Sequence, residues 1–364
     1  MSATPDLHAP PASLAAALDE IATGAPERDT TPHYPHGPFE RLAASGALAL
    51  NVPGRDGEGG LAPSFAEELA TARAVARADG SVGRIYDGHL NGVERLGLLA
   101  PEPLRAEELA CVAAGELTLG VWGADPVPAE GEPARLDPSR ERLHGVKVFC
   151  SGAGGVDRAL VNVRSADGAG PPLLAYVDLS EGVEVDRAWF RGAGMRASES
   201  HRVVFAGTPV LAVLGEPGEL SRDPWFSRDG IRTAATWAGV LDSAVADALG
   251  ILRAKPRRGA LEELAVGRIL VEQAAADLWL AEAGRRAETR SVDLAFSVSL
   301  REAIASACRR ALDEAARACG SRPFAVGSGL DRARRDLEIF LLQHRLDPLV
   351  ARVGAAALGD TGAP

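Results

Sequence analysis

The strand-forming residues of this chain are confined to one central stretch, and helical patterns precede and follow it. Short runs rich in Val, Leu and aromatic residues, separated by Gly, Pro and Asp turns, begin near Leu117 and end before Pro224. Helical periodicity dominates the residues before this stretch, and long Ala/Leu/Arg-rich helices follow it. Because strands and helices do not alternate, a parallel sheet built from βαβ units is not expected.

These patterns predict an α+β protein with three regions. We expect an N-terminal helical domain, a small antiparallel β-barrel in the middle and a C-terminal four-helix bundle, over residues 1–115, 116–222 and 223–364. The bundle follows from long helices joined by short connections, predicted at about 229–254, 260–289, 293–319 and 331–343. Earlier in the chain, an amphipathic helix is predicted over 11–22, and Ser64 with Glu67 predicts a capping box.

The charge and composition of the chain restrict its partners. It has 364 residues with 39 basic and 50 acidic side chains, a formal net charge of −11 at pH 7. Such a surface repels nucleic acid and anionic membranes, so neither is expected as a partner. No apolar run approaches the roughly 20 residues of a membrane-spanning helix, and no signal peptide is recognisable. The four cysteines lack CxxC spacing and predict free thiols, which fits a cytoplasmic protein without a bound metal.

Five segments of the chain, in their order, resemble the acyl-CoA dehydrogenase superfamily of flavoenzymes. They are FERLAASGALALNVPGRDGEGG, ADGSVGRIYDGHL, GVWGADP, GVKVFCSGAGGVDRALV and GAGMRASESHRVVF. The resemblance implies a flavin, FAD in a dehydrogenase, with FMN possible in a monooxygenase. It implies that Ser151 donates to flavin N5, that Phe149 replaces the aromatic residue stacked on the ring, and that Trp122 lies in the strand beside the flavin. The alternative is that Ser151 and Phe149 are ordinary strand and core residues.

The resemblance also implies contacts with the flavin phosphates and the substrate. RACGSRPF resembles the loop that binds the FAD pyrophosphate across a subunit interface, which assigns Arg317, Gly320 and Ser321 to the cofactor and implies a homodimer or homotetramer. Arg257 lies near the position of a phosphate-contacting arginine. For the substrate, the resemblance implies His89 in the second segment and Arg232 at the start of the first bundle helix.

The catalytic position of the family falls on a histidine here. Aligned through Arg335-Asp336, the glutamate that removes the substrate α proton corresponds to His344, in a corner before a new helix expected at Asp347-Pro348. A second position used by some dehydrogenases falls on Ile231, which cannot accept a proton. Histidine can act as a base, with a reference pKa of ~6.5. Asp336 is expected to hold an arginine inside the bundle.

The C-terminal region, from GSRPF through DLEIFLLQH to GAAALG, is similar to reduced-flavin monooxygenases of the same fold, which have a histidine in this corner. Three functions follow. The first is an FAD-dependent dehydrogenase acting on the CH–CH bond of an acyl thioester, with an electron-transfer protein as partner. The second is a two-component monooxygenase that uses His344 on an aromatic substrate and takes reduced flavin from a reductase. The third is a catalytically degenerate flavin-binding protein. The general superfamily features favour the dehydrogenase.

Overall fold

The computed structural model describes residues 12–54, 64–343 and 345–359. Its first region is helical, as predicted, with α1 (Ala12–Thr30), α2 (His36–Ala44), α3 (Phe65–Ala78), α4 (Gly80–Leu99) and α5 (Leu104–Ala114). Helix α1 is longer than the pattern predicted and continues through Pro26. The added turns are held from outside the helix, because Ala25 is buried and the Arg28 guanidinium is 2.8 Å from the Asp79 carboxylate.

The predicted capping box is present at the start of α3. Ser64 Oγ accepts the Glu67 N–H, and the Glu67 carboxylate accepts the Ser64 N–H at 2.6 Å. Asp79 caps α4 in turn by accepting the Ser81 and Val82 N–H groups. These two caps satisfy N–H groups that a helix start leaves without partners, so they fix the first turns of α3 and α4.

The middle region is a curled seven-stranded sheet. Its strands are β1 (Leu119–Trp122), β2 (Arg135–Leu136), β3 (Arg142–Cys150), β4 (Arg158–Val163), β5 (Leu173–Asp178), β6 (Val183–Asp186) and β7 (His201–Leu214). The long strand β7 pairs with β3 and β6 along its first half and with β5 along its second half. The named strands pair antiparallel except β1 with β4, which is parallel, and an isolated bridge from Arg135 to Arg164 helps close the curl.

The last region is the predicted helical bundle. Its elements are α6 (Trp225–Arg253), α7 (Ala260–Glu288), α8 (Leu294–Cys319), the short α9 (Arg322–Ala325), α10 (Gly329–Phe340) and α11 (Leu346–Ala357). Helix α6 is the one described helix long and apolar enough to cross a membrane by length and composition, but 61% of its apolar window is buried inside the protein. It is therefore placed as the central helix of the bundle core.

The loop before β7 joins the sheet to the bundle. Gly194 lies so close to α10 that an added Cβ would be 2.0 Å from the Arg335 carbonyl oxygen. The buried Asp336 carboxylate accepts the Met195 N–H at 2.5 Å. The prediction that Asp336 holds an arginine was wrong, because its carboxylate binds the backbone of this loop. The neighbouring Arg335 pairs instead with Asp29 and Asp331.

Candidate active site

A cavity of about 440 Å³ lies where the three regions meet. Helix α4, strand β1, the end of β3, the loop before β7 and the end of α10 all contribute to its lining: Arg84, Val121, Gly123, Ala124, Phe149, Ser151, Phe190, Met195, Ser198, Ser200, Ile339, Phe340, Leu342 and Gln343. Most of these side chains are apolar, and the polar groups are concentrated in three serines, one arginine and one amide. Such a lining is typical of a small-molecule site.

Phe149 and Ser151 both reach this cavity because β3 is irregular at its end. The pairing of β3 with β7 shifts register between Lys147 and Cys150, and Phe149 adopts a left-handed φ of 54°. The residue is 56% exposed, and its ring packs edge-to-face on Trp189 at a centroid distance of 4.8 Å. A phenylalanine held outside the core in a disfavoured backbone region points to a binding role, and it is not the ordinary core residue of the alternative interpretation.

Three serine hydroxyls form a chain along the cavity wall. Ser151 Oγ lies 2.8 Å from Ser200 Oγ, which lies 2.8 Å from Ser198 Oγ. Ser198 Oγ donates to the Met195 carbonyl oxygen at 2.7 Å. The segments that carry these serines are tied together by the Gly152 N–H, which donates to the Ser198 carbonyl at 2.8 Å.

The direction of this chain follows from the carbonyl at its end. A carbonyl oxygen only accepts, so the single Ser198 proton is committed to Met195. Ser200 must therefore donate to Ser198, and Ser151 must donate to Ser200. With its proton committed to Ser200, Ser151 offers only lone pairs to a ligand. In this arrangement its hydroxyl accepts hydrogen bonds, in contrast to the donor role implied by the family resemblance.

Arg84 supplies the one positive charge among the described lining residues, and sequence reasoning did not select it. Its guanidinium is 3.2 Å from the buried Asp87 carboxylate. Burial lowers the pKa of Arg84 and raises that of Asp87. Asp87 is also held by Thr233 and Asn91. The sequence signal was available: a lone arginine between Gly83 and Ile85, on a helix whose neighbouring residues are all buried.

Trp122, predicted to contact the cofactor, is buried in the core shared by the sheet and the N-terminal helices. Its indole N–H donates to the Ser151 carbonyl oxygen at 3.0 Å. The side chain is absent from the cavity lining, so it supports Ser151 from behind. The family resemblance assigned this residue to the strand beside the flavin, but the alternation of β1 turns its side chain into the core.

His89, predicted to bind substrate, is also an interior residue. Its Nε2 is 2.7 Å from the Leu48 carbonyl oxygen, and its Nδ1 accepts the Leu119 N–H at 3.2 Å. Burial lowers its pKa to about 4, so the ring is neutral and carries its proton on Nε2. It connects α4 to β1 and to the turn at 47–49, and we remove it from the candidate site.

Arg232, the second predicted substrate residue, lies inside a cluster of buried charges. It donates to the Glu68 carboxylate at 2.6 Å and to Glu94 at 2.8 Å, and it also contacts Asn91. These carboxylates come from α3 and α4, so the cluster connects both helices to α6. With its donors occupied by protein carboxylates, Arg232 is a structural residue and is removed from the candidate site.

The residues predicted to bind flavin phosphates lie elsewhere on the surface. Gly320, with a left-handed φ of 75°, and Ser321 line a surface cavity of about 490 Å³ together with Arg334 and Arg335. Arg317 is 68% exposed, and Arg257 is exposed in the turn between α6 and α7. None of these four predicted residues lines the central cavity of the same chain. Their assignment to a flavin bound across a subunit interface stays a prediction.

His344 lies outside the described residues. Its predecessor Gln343 lines the cavity, and α11 begins at Leu346, next to the helix start predicted at Asp347-Pro348. The predicted corner between two helices is thus present beside the cavity, and the role of His344 stays a prediction.

Comparison with known proteins finds sequence similarity over about half of the chain and structural similarity over nearly all of it. No family model matches the sequence. Dibenzothiophene monooxygenase from Rhodococcus erythropolis is 28% identical over 193 residues, which are 49% of this chain and 44% of that protein. The alignment thus spans less than half of the relative's length.

Among solved structures, FMN-bound TdsC from Paenibacillus sp. A11-2 has a TM-score of 0.83, covering 96% of this chain and 97% of that one at 20% identity. KijD3, in complex with FMN and a dTDP-linked amino sugar, also reaches 0.83, over 96% and 93% of the chains at 23% identity. The chain has an acyl-CoA dehydrogenase-like fold. This confirms the predicted fold class, and at these identities the likeness extends to the fold alone.

Proposed function

We propose that the protein is a flavin-dependent monooxygenase that receives reduced flavin and oxidises a largely apolar substrate in the central cavity. The observation that carries this proposal is the direction of the serine chain. The N5 atom of an oxidised flavin accepts a hydrogen bond, whereas N5 of a reduced flavin carries a hydrogen and donates. Ser151, whose proton is committed to Ser200, suits the reduced form.

The cavity fits the ring of a flavin. Phe149 offers an exposed aromatic ring, Ser151 offers an acceptor oxygen, and Gly123 with Ala124 forms a stretch of the lining without bulky side chains. When bound, the reduced flavin would supply the electrons that activate dioxygen. FMN is favoured over FAD as the cofactor, because FMN is present in the TdsC and KijD3 structures of the same fold.

The first function that the sequence predicted, acyl thioester dehydrogenation, is less well supported. That reaction needs a base beside the substrate, and the family uses a glutamate. No carboxylate is among the described residues that line the cavity. Ile231, at the alternative glutamate position, is fully buried in the bundle core. We therefore prefer the monooxygenase, which the sequence predicted as the second function.

We propose His344 as the residue that transfers protons to or from the flavin or its substrate. Its neighbour Gln343 lines the cavity just beyond the end of α10. A histidine is suited to this task because its reference pKa of ~6.5 allows both protonation states near neutral pH.

The substrate and partner follow from the lining and the relatives. Phe190, Met195, Ile339, Phe340 and Leu342 provide an apolar surface suited to an aromatic body. Relatives named for dibenzothiophene, and a TdsC complex with indole, support an aromatic substrate. A separate flavin reductase is proposed as the partner, because a monooxygenase of this kind does not reduce its own flavin.

The proposal is tested by measuring flavin affinity and oxygen insertion. The full chain should bind reduced FMN more tightly than oxidised FMN under anaerobic conditions. With reduced FMN, labelled dioxygen and indole, one labelled oxygen atom should appear in the product, and His344→Gln should lower this rate strongly while flavin affinity is retained. Bleaching of tightly bound oxidised FAD by an acyl-CoA, without oxygen incorporation, would overturn the proposal in favour of the dehydrogenase.

A further inference from the structure

A second cavity, of about 410 Å³, lies beside the active-site cavity and has a different character. Its lining includes Arg187, Arg191, Arg196 and His201, with Glu199 as the one acidic group among the described lining residues. We propose that this cavity binds the phosphate or diphosphate group of a small molecule.

The charges around the cavity leave an excess of positive charge. Arg187 pairs with the buried Glu199 carboxylate. Arg191 makes a hydrogen bond through Nε to the Ala188 carbonyl at 2.8 Å, and Arg196 donates through Nη1 to the Asp29 carbonyl. These two guanidinium groups bind neutral acceptors, so their charges are not balanced by those bonds. Guanidinium groups bind phosphate oxygens with two parallel hydrogen bonds, which matches an anion of this class.

His201 is the second observation that points to a ligand. The side chain is 7% exposed, and neither ring nitrogen has a hydrogen-bond partner within the described protein. Its Nε2 lies 3.4 Å from Glu199 Oε2, within ion-pair distance but without hydrogen-bond geometry. A buried ring without a hydrogen bond costs free energy. A phosphate oxygen in the cavity would remove this cost by accepting from the imidazole.

The position of this cavity relates it to the active site. Phe190 lines both cavities, so a single side chain stands between them. One molecule can therefore place an apolar part in the active-site cavity and a phosphate in the basic one. Two sources fit this chemistry: the phosphate of the flavin mononucleotide itself, and the phosphate of a second small molecule. Only this link to catalysis rests on the proposed function.

The experiment measures binding of inorganic pyrophosphate to the full chain by calorimetry at low ionic strength. Arg191→Ala removes the guanidinium group of an exposed side chain. We expect the affinity for pyrophosphate to fall about tenfold or more, as for lost charge-assisted hydrogen bonds. Arg142→Ala is the matched control, with the same charge change in the same region, on a side chain that pairs with Glu181. It should change affinity by less than about twofold, the scale expected of a screened distant charge.

The results distinguish the FMN phosphate from the phosphate of a second small molecule, and they can also contradict the proposal. If Arg191→Ala weakens FMN but not riboflavin, the phosphate is that of the flavin. If neither flavin is affected while pyrophosphate affinity falls, the site serves another phosphorylated molecule. No pyrophosphate binding by the unchanged protein, or equal losses in Arg191→Ala and Arg142→Ala, would overturn the proposal. Pyrophosphate binding needs neither flavin nor turnover, so it is independent of the monooxygenase test.

Discussion

Ser151 donates its hydroxyl proton to Ser200 across 2.8 Å, and this leaves its oxygen as an acceptor toward the cavity. The direction of this hydrogen bond is set at the other end of the serine chain, where Ser198 donates to the Met195 carbonyl oxygen. Under the proposed function, this backbone carbonyl makes the cavity wall favour the reduced form of a bound flavin.

Replacing Ser200 should change this preference. In Ser200→Ala the Ser151 proton is released, and its hydroxyl can donate to oxidised flavin. We expect the ratio of reduced to oxidised FMN affinity to fall several-fold, as for a net hydrogen bond of about 0.5–1.5 kcal/mol. Anaerobic titrations measure both affinities. Ser139→Ala, in an exposed turn of the same region, is the control, and an unchanged ratio in Ser200→Ala would contradict the assigned direction.

Two substitutions of Phe149 distinguish its effect on flavin binding from its effect on the stability of the protein. Both Phe149→Ala and Phe149→Gly delete the ring, so both should weaken flavin binding to a similar extent. Only glycine tolerates the left-handed backbone without strain, so the glycine variant should be more stable than the alanine variant by about 1 kcal/mol. Urea unfolding measures this difference. Equal flavin affinity for both variants and the unchanged protein would exclude Phe149 from the site.

Arg84 is expected to select substrates by their acceptor groups. Arg84→Lys keeps the positive charge beside Asp87 but removes the planar guanidinium fork that faces the cavity. We expect KM to rise about tenfold for a substrate with an acidic or carbonyl group, on the scale of one or two charge-assisted hydrogen bonds. KM for an unsubstituted aromatic substrate should be little changed. Steady-state kinetics on such a pair of substrates give the comparison, and equal effects on both would argue against recognition by Arg84.

Asp336 should make stability depend on pH. Burial raises its folded pKa to about 7 from an ordinary value of 3.8. The unfolded chain therefore releases this proton first as pH rises, and stability present at low pH is lost between about pH 4 and pH 7. The loss is at most about 4 kcal/mol, at about 1.4 kcal/mol per pKa unit. Asp229, with its pKa also raised to about 7 by burial, acts in the same direction.

The measurement is urea unfolding across this pH range. Asp336→Asn still offers a carbonyl oxygen to the Met195 N–H but does not titrate, so its stability should fall less as pH rises. Asp313→Asn, at an exposed position, should follow the unchanged protein. Identical slopes for Asp336→Asn and the unchanged protein would show that Asp336 does not titrate with folding.

Arg232 and Arg317 were both predicted to bind ligands, but Arg232 is buried among carboxylates whereas Arg317 is exposed. Arg232→Leu removes the fully buried cation between Glu68 and Glu94 and leaves these carboxylates with Arg228 alone, a change that costs up to about 3–5 kcal/mol. Arg317→Ala, on an exposed side chain, should change stability by less than about 0.5 kcal/mol. Chemical unfolding tests both. If Arg317 contacts a flavin across a subunit interface, its variant alone should lose flavin affinity at unchanged stability.

Most of the fold was predictable from the sequence because its signals are local. Bundle helices predicted at 260–289 and 293–319 are observed at Ala260–Glu288 and Leu294–Cys319. The capping box at Ser64 was predictable because a hydroxyl and a glutamate three residues apart satisfy the same helix start. The end of α1 was not, because its last turns depend on a contact between Arg28 and Asp79, far apart in sequence.

The sequence by itself determined the order of helices and strands, the positions of caps and turns, and the presence of Phe149 and Ser151 at the end of a strand. Only the tertiary structure decided which side chains share a cavity. It shows that Trp122 and His89 are buried outside the cavity and that Arg84 lines it. It also oriented the Ser151 hydroxyl, because proton direction depends on a carbonyl presented by another segment. Periodicity is set by neighbours in the chain, whereas a site is set by packing between distant segments.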